Sequence, residues 1–344
     1  MPAPTIADLG EDALLTRLFP LLPAGSGTLL GPGDDAAVVR APDARVVVTT
    51  DVLVEDRHFR LDWSSGEDVG WRAAVQNLAD VAAMGAVPTS LVVALVVPAT
   101  TPVAWVEGLG RGLAGGCPEG VGVVGGDLSG GEHVAVAVTA LGDLAGRAPV
   151  RRSGARPGDV VAHAGVRGHS AAGYAWLAAG RPVPDAETAD GEGADAEGRA
   201  LARAVRLAVR GYRRPVSPLV GGPAAADAGA TAMLDVSDGL LRDAGRLARA
   251  SGVVVHLDPP ADAFGEDLAA LAPVARALGA DAEAWVLAGG EDHGLLATFP
   301  ADASLPAGFR RIGVVGAPGE WTAGTVTVAG RVPSGPVGWD HFRG

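Results

Sequence analysis

"MLDVSDGLLRDAG", Met233 to Gly245, changes character half-way along. It begins as an apolar run, has Asp235 and Asp238 on either side of Ser237, then turns amphipathic. A buried strand leading straight into a helix is the repeating unit of mixed α/β proteins. The two acids have two readings. They start the helix as N-caps, or they hold a metal ion.

The same alternation runs along the chain. "DARVVVTTDVLV" (43–54) reads as a β-branched strand, and "DVGWRAAVQNLADVAAMGA" (68–86) as a helix ending at Gly85. "TSLVVALVV" is a buried strand, and "VAWVEGLGRGLAGGC" a helix weakened by glycine. "VGVVGGDLS" is a strand ending in a Gly-Gly-Asp turn, and "HVAVAVTALGDL" is the next strand. A short amphipathic helix, 6–22, precedes them. The order β-α-β-α-β-β predicts an α/β (mixed α+β) module. A Gly-, Pro- and Arg-rich stretch at 146–159 predicts a boundary, giving domains 1–148 and 149–344. The second begins with the strand "DVVAHAG", has an exposed acidic loop at 180–200, and contains the opening motif, with its helix ending at Gly252. The strand "VVVHLD", a helical stretch at 265–279, "WVLAGGEDHGLLATF" and two short strands, "RRIGVVG" and "TVTVAG", follow.

Composition excludes several classes. The 344 residues carry a formal net charge of −13, which argues against nucleic acid or an anionic membrane as partner. There is no lysine, so neither a Schiff base nor a P-loop lysine is possible. The single cysteine, Cys117, excludes an intramolecular disulfide and a cysteine zinc cluster, and suits a reducing compartment. The first residues lack a basic n-region and the apolar runs are too short to span a bilayer. The expectation is a soluble cytoplasmic protein.

The acids recur in one context, at or inside apolar stretches. These are Asp34 and Asp35 in "GPGDDAAVV", Asp51 after Thr49 and Thr50, Asp80 in "VQNLADVAAM", Asp127 in "VVGGDLS", and Asp235 and Asp238. Each alone has an ordinary explanation: a turn residue, a helix cap, or, for Asp80, an ion pair with Arg72. Together they point further. A buried carboxylate needs a cation, and few arginines lie nearby in sequence. Hard divalent ions and phosphate chemistry fit such a set, with glycine-rich turns admitting phosphate to the backbone. No P-loop or protein-kinase motif is present, and "GLGRGLAGG" follows no strand, so it makes a poor dinucleotide fingerprint.

In order, "GPGDDAAVV", "TTDVLVEDRHF", "NLADVAAMGAVP", "GGDLSGG", "RSGARPGD", "LDVSDGLLRD" and "LAGGEDHGLL" resemble the thiamine-monophosphate kinase family, from about residue 7 to the terminal "GWDHF". The resemblance implies phosphorylation of thiamine monophosphate by ATP. It also implies the fold shared with aminoimidazole ribonucleotide synthetase and selenophosphate synthetase. There the N-terminal domains of a homodimer pair through their sheets, and ATP lies in a groove between them and the second domain. It implies more than one Mg2+ ion held by Asp35, Thr49, Thr50, Asp51, Asp80, Asp127, Asp235 and Asp238, with Asp51, Asp127 and Asp238 catalytic. ATP contacts fall on Gly126, Asp127, Arg152 and Ser237, and substrate contacts on His58, Glu291 and Trp339. Arg152 suits bidentate phosphate binding, and Trp339 a flat cationic heterocycle. The family usually has an aromatic and then an acid after "GGED"; here His293 and Gly294 stand there. The alternatives are another ATP-using enzyme of the superfamily and a noncatalytic divalent-metal-binding protein.

Overall fold

The computed structural model describes residues 4–32, 36–185 and 195–339. They form two compact units. One holds the described residues up to Ala82 together with Ala86–Ala148; the other holds Ala83–Gly85 and the described residues from Pro149 onward. Both mix helices and strands, as expected for an α/β chain.

The first unit carries a four-stranded sheet in the order β3-β6-β4-β5, built from β3 (Val47–Val54), β4 (Val87–Val97), β5 (Gly122–Gly130) and β6 (Ala135–Asp143). Strands β1 (Thr28–Leu30) and β2 (Val38–Val39) form a separate pair. Side-chain alternation gives the main sheet two different faces. Leu53, Leu91, Val136 and Val138 are buried on one. Val48, Val52 and Val92 are exposed on the other, at 63%, 46% and 37%. The helices Gly66–Ala83 and Val103–Gly116 pack closely through glycines. A Cβ on Gly112 would lie 2.0 Å from the Glu67 carbonyl oxygen. The glycines of "GLGRGLAGG" therefore serve helix contact. The expected helix at 6–22 is broken at Gly10 into Ile6–Leu9, Glu11–Leu18 and a 3-10 turn, Phe19–Leu21.

One expectation is corrected here. "VVGGD" is not a turn, because β5 continues through it to Gly130. A Cβ on Gly126 would lie 2.0 Å from the Val93 carbonyl oxygen of the neighbouring strand. Strand packing accounts for this glycine, whatever else approaches it.

The second unit carries a six-stranded sheet in the order β12-β9-β11-β7-β10-β8, from β7 (Val160–Ala164), β8 (Ala232–Val236), β9 (Val254–Leu257), β10 (Gly294–Phe299), β11 (Phe309–Gly316) and β12 (Val326–Val328). Ala162, Met233, Leu295, Phe299 and Phe309 lie in its apolar core. The helix Leu240–Ser251 closes at Gly252, whose φ of 70° suits glycine. Helices His169–Ala178 and Ala196–Arg213 are additions to the sequence reading. The second begins inside the expected loop 180–200, where Asp195 accepts a hydrogen bond from the Gly198 N–H at 2.8 Å. No helix of the described residues is long and apolar enough to cross a membrane.

Candidate active site

In the first unit, β3 presents Thr49 and Asp51 toward the helix Gly66–Ala83. Thr49 Oγ1 donates to Asp80 Oδ2 at 2.9 Å, and the Asp51 N–H donates to Asn77 Oδ1 at 2.9 Å. Asn77 is fully buried, and its Nδ2 donates to the Ala73 carbonyl at 2.9 Å. Sequence reasoning passed over it. Its signal was the pair of adjacent amides, Gln76 and Asn77, in the apolar stretch "AAVQNLADVAA". Thr50 lies on the opposite face of the strand, where it donates to the Val138 carbonyl at 3.0 Å. The hydroxyls of Thr49 and Thr50 therefore do not share one spot, because strand neighbours alternate. His58 belongs to the turn after β3, where its Nδ1 accepts from the Val54 N–H at 3.0 Å.

Asp127 is exposed on β5, opposite Ala94, and accepts from Ser129 Oγ at 2.8 Å. One row crosses the sheet from Asp51 through Val138 and Val93 to Gly126. Asp51 and Asp127 thus stand on the two edge strands, about 14 Å apart at ordinary strand spacing, and face opposite sides. One copy of the sheet does not bring them together. Both are exposed, so burial is not what demands a cation there. A cavity of about 670 Å³ lies against β5, lined by Leu15, Leu18, Leu109 and Val124 and reaching Gly126 and Asp127.

In the second unit, three distant segments meet. The Glu291 N–H donates to the Ser237 carbonyl at 2.8 Å, and the Trp339 N–H donates to the Asp238 carbonyl at 2.8 Å. Asp235, Ser237, Asp238, Glu291 and Trp339 are assembled in this way, with the Trp339 ring half exposed. Neither acid caps the helix. The N-cap position is Gly239, with no side-chain cap bond. Nor does Asp238 lack a protein cation: Arg246 Nη2 lies 2.6 Å and Arg242 Nε 3.8 Å from its Oδ2. Arg246 also reaches Asp243, whose carboxyl is pushed up to about 6 by burial and the nearby Asp235 charge. Arg152 lies elsewhere. Its carbonyl accepts from Ser251 Oγ at the far end of the same helix, which rises about 16 Å from Leu240 to Ser251.

His293 is buried between two carboxylates. Its Nδ1 lies 3.5 Å from Asp235 Oδ2 and its Nε2 3.7 Å from Glu291 Oε2, at ion-pair rather than hydrogen-bond range. Burial favours the neutral ring, but the two carboxylates outweigh it and raise the imidazole from 6.5 to about 10. The folded value exceeds the unfolded one. The stabilisation is therefore complete below 6.5 and lost as pH rises through about 10. The expected NMR result is a His293 Cε1–H resonance that stays at its imidazolium position from pH 6 to 8. A titration midpoint near 6.5 would contradict the arrangement. Glu291 and His293 also hold positive φ, 68° and 53°, a costly backbone for such residues and a common mark of functional loops.

Beneath this loop lies a charge network that the motifs did not flag. Arg167, fully buried, donates to the Val286 and Gly289 carbonyls and lies 3.4 Å from Asp292. Asp292 accepts the N–H groups of Gly168 and Ser170 at 2.6 and 2.8 Å, at the start of the helix His169–Ala178.

Among the described residues, no three His, Cys, Asp or Glu side chains are grouped as they would be around one ion. Asp35 lies outside the described residues. The donors that are described, carboxylates and hydroxyls, are the hard oxygens that magnesium takes, and their chemistry fits it.

Residues 33–144 match the family model for the AIR synthase related protein, N-terminal domain. The chain is 46% identical to thiamine-monophosphate kinase of Mycobacterium tuberculosis, over 99% of this chain and 94% of that protein. It is 31% identical to the Escherichia coli enzyme of the same name, over 85% and 83%. The chain belongs to the thiamine-monophosphate kinase family. A structure of thiamine monophosphate kinase from Aquifex aeolicus superposes with a TM-score of 0.72 at 28% identity, covering 95% of this chain and 98% of that one. Another, AaThiL complexed with AMPPCP and TMP, gives 0.73 at 28%, covering 97% of each. Gly294, where the sequence resemblance leads one to expect an acid, has a structural reason. A Cβ on Gly294 would lie 2.6 Å from His163 Nε2, so an acid would not fit at that position.

Proposed function

We infer that this protein transfers the γ-phosphoryl group of ATP to thiamine monophosphate, giving ADP and thiamine diphosphate. The observation that carries this is the near-full-length identity of 46% to a thiamine-monophosphate kinase. The acceptor is already a phosphate oxygen, so the chain need not supply a general base. Its tasks are to place two phosphates in line and to offset their charge.

Asp51, Asp127 and Asp238 are the carboxylates we assign to the reaction. With Asp35, Thr49, Thr50, Asp80 and Asp235 they would hold magnesium, more than one ion, which when bound neutralises phosphate charge. Gly126, Asp127, Arg152 and Ser237 take the nucleotide, and the apolar cavity beside Gly126 suits its base. Glu291 and Trp339 take the thiamine end: a carboxylate opposes the thiazolium cation and a half-exposed indole offers it a π-face. His58 completes the substrate contacts. A cytoplasmic setting accords with the single thiol.

Purified protein with ATP, magnesium and thiamine monophosphate should yield thiamine diphosphate. Folded protein that yields none would overturn the assignment. ATP loss at the same rate without thiamine monophosphate would make it a phosphohydrolase instead.

The working form we propose is a homodimer joined through the four-stranded sheet. Its support is the uncovered apolar face bearing Val48, Val52 and Val92, and the placing of Asp51 and Asp127 on opposite edges. Val48→Glu, which puts a charge on that face, should convert the protein to a folded monomer by light scattering. A variant that remains dimeric would place the interface elsewhere.

A further inference from the structure

Asp238 is occupied. Arg246 forks between two carboxylates, with Nη2 at 2.6 Å from Asp238 Oδ2 and Nη1 at 2.7 Å from Asp243 Oδ1. The other Asp243 oxygen, Oδ2, accepts the Asp238 N–H at 3.0 Å. The loop that bears Asp238 is thus closed into a ring of side chain and backbone. The spacing is local: Arg242 and Arg246 lie one turn apart on the helix Leu240–Ser251, and Asp238 stands just before its N-cap, Gly239. Asp243 is 2% exposed at its side chain, so Arg246 is anchored at its buried end while its contact to Asp238 is the more open one, at 15%. A divalent cation arriving at Asp238 meets a permanent cation already there, since a guanidinium does not deprotonate.

We propose that Arg246 is a positioning residue that holds Asp238 in place until a divalent ion displaces it, and so sets the ion concentration at which these carboxylates load. This rests on the reading of Asp238 as a metal ligand. Arg246 keeps its anchor on Asp243 during the exchange, so the loop loses one contact and not its closure. The device keeps four acids, Asp235, Asp238, Asp243 and Glu291, from repelling one another in the ion-free protein. Arg246, Arg242 and the His293 ring supply the opposing charge.

The test measures Mn2+ binding directly, by the loss of the free-ion electron paramagnetic resonance signal, with no turnover. Arg246→Met should tighten binding roughly fivefold, the fold-change expected from removing a competing ion pair of ordinary strength. Arg246→Lys should restore binding to within about twofold of the native protein, because it returns a cation to the same place. If Arg246→Met does not fold, Arg246→Gln keeps hydrogen bonding to Asp243 without the charge, and the same tightening is expected. Unchanged or weaker Mn2+ binding in the uncharged variants would overturn the proposal. So would equal tightening by Arg242→Gln, which would show a general charge effect and not displacement. Asp238→Asn separates the two layers. Weakened Mn2+ binding there, with no effect at Arg246, leaves the metal reading standing and removes only the latch. Native binding there removes the metal reading and the latch together.

Discussion

Asp51→Asn and Asp127→Asn subunits should each lose about a thousandfold in turnover alone, the scale of removing a charge that stabilises a transition state. Mixed in equal amounts, they should recover about a quarter of native activity. Random pairing makes half the dimers mixed, and each mixed dimer has one intact site of two. The physical basis is the sheet order. Asp51 on β3 and Asp127 on β5 are on opposite edges and opposite faces of one copy. They can serve one site only if a second copy brings the other edge alongside. Both are exposed, so neither amide should disturb folding, and melting temperatures should stay within about 2 °C of native. No recovery after proven subunit exchange would sink the shared-site reading. Near-native activity in either single variant would remove that residue from the reaction.

Arg167→Ala should be the most damaging single change to stability. The guanidinium is fully buried, lies 3.4 Å from Asp292 and holds the carbonyls of Val286 and Gly289. Removing it strands Asp292, itself 2% exposed, without its counter-charge. Breaking a buried pair from one side costs about 3–5 kcal/mol, or about 6–20 °C in melting temperature for a unit of this size. The double variant Arg167→Met with Asp292→Ala should lose less than the two single changes added together, because no lone charge remains. In whatever fraction stays folded, KM for thiamine monophosphate should rise more than kcat falls. The loop that Arg167 braces carries Glu291. A melting temperature within 2 °C of native would show that water reaches Asp292 and the pair is not structural.

Much of the fold was legible because its strands are β-branched and bounded by turns. "VVVTTDVLV", "TSLVVALVV" and "HVAVAVTALGDL" all appear as strands of the first sheet. The helix His169–Ala178 was not legible. Six of its ten residues, including His169 and Ser170, are buried, so it shows no polar stripe to set its period. The helix Ala196–Arg213 was hidden by the acidic segment before it, which reads as loop until Asp195 supplies the cap.

The candidate site divides in the same way. Sequence order alone determined the family, because seven loose motifs in one order leave few alternatives. It also determined that oxygen-rich, lysine-free chemistry would be at work. What it could not determine was company. An acid inside an apolar strand looks buried, yet Asp51 and Asp127 are both exposed, since each stands on an edge strand of the sheet. Cations looked scarce around Asp238, yet Arg246, eight residues on, reaches it, because Asp243 holds both the Asp238 N–H and the Arg246 guanidinium. Only the tertiary structure decided that Ser237, Glu291 and Trp339 meet, through backbone hydrogen bonds that carry no sequence signature. It decided likewise that the two edge carboxylates of the sheet do not meet, since strand order is set by packing and not by position along the chain.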